Sequence, residues 1–179
     1  MIIWKIILKV LQILSSEETP NQVAFGFCLG AIMALTPLFS PHNLIVLLLI
    51  TVTAVSFRSA VLGFTILFIP GYVVAPVADK LGYYLLADSP RLIPFWTGFF
   101  DLPLMQFSDL NNTYTLGSLI VSLLLFIPMF AGVRYFVFRY RKDLKDKIEK
   151  SRWYKAVANS KIFIWLKKAY DLLGNGAHA

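Results

Sequence analysis

Three stretches of the chain carry no charged side chain: Asn21–Phe57, Ser59–Ala78 and Leu110–Val133. A helix needs roughly 20 mainly apolar residues to cross the hydrocarbon core of a bilayer, so each run is long enough to be membrane-embedded. A soluble domain of this size buries a core without giving up charge over such lengths. The overall fraction of Asp, Glu, Lys and Arg is 15%, against about 25% in an ordinary soluble domain. The sequence therefore predicts an all-α integral membrane protein.

The remaining charge is unevenly placed. Arg134–Leu173 holds twelve Lys/Arg and four Asp/Glu, a local excess of eight where the whole chain has a net +7. No nucleic-acid recognition motif accompanies this charge. A basic tail directly after a hydrophobic run reads instead as a cytoplasmic anchor on anionic headgroups. Residues 134–179 are assigned to that tail, and Trp153–Leu173, which alternates apolar and basic residues, to an interfacial or partner-binding helix within it. At the other end, residues 1–15 read as an amphipathic interfacial helix with Lys5, Lys9 and Gln12 on one face. No small-residue cleavage site marks that segment as a removed signal peptide.

Local signals divide the membrane region, 19–133. Thr19-Pro20-Asn21-Gln22 has the composition of a capping box with proline at the first helical position, so a helix is expected from Pro20 to about Thr36. Gly26, Gly30 and Ala34 recur at intervals of four and form a stripe that another helix could approach closely. Ser40-Pro41 predicts a second helix start, running to Phe57. Residues 19–57 then form a helical hairpin with TPLFSPHN, Thr36–Asn43, at its tip. Whether that hairpin spans the bilayer is left open. Residues 59–87 carry Pro70-Gly71 and Pro76 and are expected to form a broken or kinked helix. Residues 88–112, with Trp96, Phe99 and Phe100 among prolines, read as an external aromatic segment on the membrane surface. Residues 113–133 are expected to span.

Orientation follows from the positive-inside rule. The tail and the N-terminus lie in the cytoplasm, residues 88–112 outside, and four membrane segments connect them.

The tip carries the candidate chemistry. A helix beginning at Ser40 presents unpaired N–H groups and the positive end of its dipole, a natural anion site. His42 and Asn43 could add donors. Ser40, Pro41, His42 and Asn43 are thus candidate lipid-phosphate ligands, with Arg58 either a further phosphate contact or a snorkelling anchor. The same residues also suit a plain turn. Pro70 and Gly71 read as a packing kink or a binding break, and Gly26, Gly30, Ala34, Trp96, Phe99 and Phe100 as packing or partner-contact positions. No catalytic motif, metal-ligand spacing or cofactor fingerprint occurs. Cys28 is the single cysteine and reads as a small packing residue. The expectation is a non-enzymatic protein without a cofactor or nucleic-acid partner.

The segments PNQVAFGFCLGAIMALTP, SPHNLIVLLLI and FIPGYVVAPVADKLGYYLL, within Thr19–Leu86, resemble an uncharacterised bacterial family, domain of unknown function 2062. Ser40 replaces the glycine usual at the tip, and Ile69 replaces the asparagine common before Pro70. The resemblance implies an inner-membrane protein of Gram-negative bacteria, in a longer proteobacterial subgroup, with no established activity to carry over. It further implies a role in the envelope, as a small subunit that docks a larger envelope-spanning partner and presents phospholipid to it. The alternative is a small homo-oligomeric transporter or channel. The scarcity of ionisable residues within the spans weighs against an ion pathway.

Overall fold

The structure is a computed structural model that describes residues 6, 7, 10, 12, 13 and 16–144. All regular structure among the described residues is helical. The interfacial helix expected at 1–15 falls mostly outside them, as does nearly all of the basic tail, including Trp153–Leu173. The chain divides into two units, Met1–Phe138 and Arg139–Ala179. In the second, the described residues 140–144 form a π-helical turn.

Helix α1 runs Pro20–Leu35. Its start is a closed capping box. The Gln22 N–H donates to Thr19 Oγ1 (3.3 Å) and the Thr19 N–H to Gln22 Oε1 (2.7 Å). Helix α2 spans only Pro41–Val52, twelve residues. The expected extension to Phe57 does not form. Threonine hydroxyls back-bond here, Thr51 to the Leu48 carbonyl and Thr53 to that of Leu49. The chain leaves the helix in an extended conformation at Thr53, and Ser56 then caps the next helix, its Oγ accepting from the Ser59 N–H.

Helix α3, Phe57–Tyr83, is continuous through Pro70 and Pro76 and extends as a π-helical turn to Asp88. This corrects the expected break. Each proline removes one i→i−4 bond, which leaves the carbonyls of Ile66 and Tyr72 without that partner. The intervening turn keeps its ladder. In an apolar surrounding a full break would orphan several more backbone groups. Helix α4, Ile93–Phe100, and a short 3₁₀ turn, Met105–Phe107, follow in the segment expected to be external. Helix α5 covers Thr113–Arg139. Helices α3 and α5 are both long and apolar enough to cross a membrane, whereas α1 and α2 are shorter apolar helices.

The packing is backbone to backbone. A Cβ on Gly26 would strike the Ser56 carbonyl, one on Gly30 the Ala60 carbonyl, and one on Gly63 the Phe27 carbonyl. Further along, Gly71 sits where a Cβ would come within 2.8 Å of the Ala34 oxygen. The partners advance together, so α1 and α3 run parallel. The expected small-residue stripe on α1 is therefore occupied by α3 of the same chain. Ser59 Oγ spans the contact by donating to the Val23 carbonyl (2.6 Å). Helix α5 runs the other way: Gly82 meets the Thr113 backbone and Gly117 that of Ala78. Against α1, Phe25 packs edge-on to Phe126 and Phe130. A core of Leu29, Ile32, Val46, Ile50 and Ala60 joins α1, α2 and α3, with Phe126 of α5 packed on it.

Candidate functional site

The tip is a hydrogen-bonded knot. Asn43 Nδ2 donates to the carbonyls of Pro37 (2.8 Å) and Leu38 (3.4 Å), and Asn43 Oδ1 lies 3.1 Å from Thr36 Oγ1. That hydroxyl can instead donate to the Ile32 carbonyl (2.9 Å). The Ser40 and Asn43 N–H groups close on the carbonyls of Pro37 and Ser40. Ser40 holds the N-cap position with Pro41 after it, yet its hydroxyl does not cap α2. It lies 3.4 Å from Asp109 Oδ2.

Asp109 comes from the loop before α5 and was not singled out from the sequence. Its φ of 59° is left-handed, a conformation Asp and Asn tolerate better than most residues. Asp109 Oδ2 also accepts from Thr115 Oγ1 (3.1 Å), while Asn112 Oδ1 accepts from the Tyr114 and Thr115 N–H groups. One carboxylate thus stands at the starts of both α2 and α5, where helix dipoles favour negative charge. The expected anion position is met by the chain's own anion, and the Asn43 amide protons point into the turn.

Beside the knot lies an open cleft of about 390 Å³. Phe25, Leu29 and Ile32 of α1 form its floor. Ile45, Val46 and Leu49 of α2 line one wall, and Leu119, Leu123 and Phe126 of α5 the other. His42 closes the end next to the tip and is its one polar lining side chain among the described residues. The ring is half-buried. Both of its nitrogens are shielded from solvent, and neither has a hydrogen-bond partner among the described residues. A second cavity, about 290 Å³, lies between the tip, Gly71 and the tyrosines Tyr72 and Tyr114.

The other expected site residues lie elsewhere. Arg58 is in the first turn of α3, next to Ser56, whose N–H bonds the Gln22 carbonyl at the start of α1. It is at the opposite end of α1 from Ser40–Asn43, so the five candidate phosphate ligands do not form one cluster. Pro70 and Gly71 are inside α3, and Gly71 provides the close approach to Ala34. Trp96, Phe99 and Phe100 form one aromatic cluster with Phe95 on α4: Trp96 stacks on Phe100 and Phe95 on Phe99, and the remaining contacts are edge-to-face. The Trp96 Nε1 is buried without a hydrogen-bond partner among the described residues. No group of three or more His, Cys, Asp or Glu side chains among them could hold a metal.

Residues 6–145 match the family model described as an uncharacterised protein conserved in bacteria, domain of unknown function 2062, and the chain belongs to that family. No curated protein and no solved structure matches it.

Proposed function

We propose that this family member is a multi-pass protein of the bacterial inner membrane with both termini in the cytoplasm. In this reading it is a non-enzymatic subunit that docks a larger envelope-spanning partner and helps present phospholipid to it. The observation that carries the reading is the cleft between α2 and α5, apolar along its length with a single polar side chain among the described residues, His42, at one end. Its volume is within the range of about 300–1,000 Å³ typical of small-ligand sites. Lipid tails are as apolar as the leucines around them, so burial alone gives little drive inside a bilayer. A cleft that selects lipid must work through packing and through polar contacts at its end.

The cleft is lined from His42 to Leu49 on α2 and from Leu119 to Phe126 on α5, a run of about 10 Å at 1.5 Å per residue, which takes the upper part of an acyl chain. Asp109 joins Ser40 to Thr115, which sets the hairpin tip level with the first turn of α5. In this topology the tip lies at the periplasmic interface, and the cleft descends from there. The aromatic α4 lies on the same side and supplies a surface for the larger partner.

The test is a mild-detergent pull-down of tagged protein from its native membrane, with protein and lipid mass spectrometry on the eluate. A large envelope protein in fixed ratio, with enriched phospholipid, is the expected result. A bare, lipid-free monomer would remove this reading. A symmetric homo-oligomer without other partners would transfer the argument to a small-solute transporter, in which the exposed apolar face of α2 meets other copies.

A further inference from the structure

We propose that the cleft takes one acyl chain of a zwitterionic, amine-bearing phospholipid, with His42 on an ester or phosphate oxygen and Asp109 on the amine. This rests on the lipid-presenting reading and adds to it the headgroup class and the residues that choose it.

Three observations point this way. The cleft walls are hydrocarbon, which matches a tail and offers nothing to a polar solute. The His42 ring closes the cleft with two shielded, unpartnered nitrogens. A neutral imidazole carries one donor and one acceptor, and a lipid oxygen at the head of an inserted chain would take the donor. The third observation is the charge beside it. Asp109 stands at the same end of the cleft, where it holds the hydroxyl of Ser40, two positions before His42. Both of its side-chain hydrogen bonds fall on Oδ2, and Oδ1 has none among the described residues. Asp109 is exposed, so Oδ1 is open to an approaching ammonium group. The same carboxylate offsets the positive ends of α2 and α5, which would otherwise attract an anionic headgroup. An anionic lipid would set its net negative charge beside a carboxylate. A zwitterionic lipid brings an amine that pairs with it.

The experiment uses the full chain purified in mild detergent and offered equal amounts of phosphatidylethanolamine and phosphatidylglycerol with identical acyl chains. Native mass spectrometry counts the lipids retained. The wild type is expected to hold about one lipid per chain, with phosphatidylethanolamine favoured by roughly fivefold, the ratio an exposed charge pair supports. Asp109→Asn, which tolerates the left-handed backbone and keeps an oxygen acceptor for Ser40 and Thr115, should erase the preference and keep the lipid. Leu123→Trp fills the cleft from an exposed position and should expel both lipids. Retention of the two lipids in equal amounts by the wild type would overturn the headgroup assignment and leave lipid presentation standing. Retention of neither would overturn both. Unchanged binding in Leu123→Trp would overturn the assignment to this cleft.

Discussion

Asn43 is 3% exposed and fixes the hairpin tip through its amide. Leucine keeps its branched outline of four heavy side-chain atoms but is bulkier, so Asn43→Leu removes the polar contacts and adds crowding: the Pro37 and Leu38 carbonyls lose a donor and Thr36 loses an alternative acceptor. Leaving buried groups unsatisfied costs about 1–3 kcal/mol, and thermal unfolding in detergent should fall accordingly. An unchanged midpoint would mean that the tip is held by the backbone alone. The polar character of TPLFSPHN is legible in the sequence, because Ser, Pro and Asn have strong local preferences. Its partner is not. Asp109 is 69 positions from Ser40, and the run SDLNNT before α5 reads only as a cap signal. For the same reason His42 can be recognised as unusual in an apolar run, whereas the cleft beside it depends on how far α5 stands from α2.

At the scale of helices, glycines separate contact from composition. Gly30 carries no side chain where α3 lies against α1, and a Cβ there would overlap the Ala60 backbone. Backbone cannot step aside as a flexible side chain can. Gly30→Ala should therefore destabilise the protein by about 1–3 kcal/mol. Gly132 is in α5 with nothing within 4 Å of its would-be Cβ. Gly132→Ala should be neutral or stabilising by up to about 1 kcal/mol, through helix propensity. Denaturation of the two variants in parallel checks the pair, and equal losses would refute the α1–α3 contact. Thr19→Ala tests a capping signal, with a loss of about 1 kcal/mol expected on the same assay. The start of α1 could be read because a capping box is complete within four residues. The stripe on α1 shows in the spacing, but its partner at Ser56, Ala60 and Gly71 does not. The continuity of α3 was hidden because a proline reports the bond it removes and not the surroundings that make a full break costlier. The early end of α2 at Val52 has no local signal, since the hydroxyl-to-carbonyl bonds of Thr51 and Thr53 have a counterpart at Thr65 inside the continuous α3.

The whole molecule follows an alternation that charge suggests and packing supports. Helices α1 and α3 run parallel, and α5 runs antiparallel to both, with Cys28 Sγ 3.7 Å from the Phe126 carbonyl where α1 and α5 meet. The base of the hairpin, at Gln22 and Ser56, then lies at the same end as the C-terminal half of α5, while the tip and Asp109 lie at the other. Placed in a bilayer with Arg134–Lys142 on the cytoplasmic side, this arrangement puts Glu18 in the cytoplasm and Leu102 in the periplasm. Because Cys28 is the single cysteine and is buried, Cys28→Ser provides a background without thiols at little packing cost. Cysteines introduced singly at Glu18 and Leu102, both outside the apolar runs, can then be labelled in intact spheroplasts with a membrane-impermeant maleimide. Leu102→Cys should react before lysis and Glu18→Cys only after it. Labelling of both from the same side would refute the alternation. Reaction in the reverse order would keep the bundle and invert it, placing the tip, His42 and Asp109 on the cytoplasmic face and any lipid transfer at the opposite leaflet.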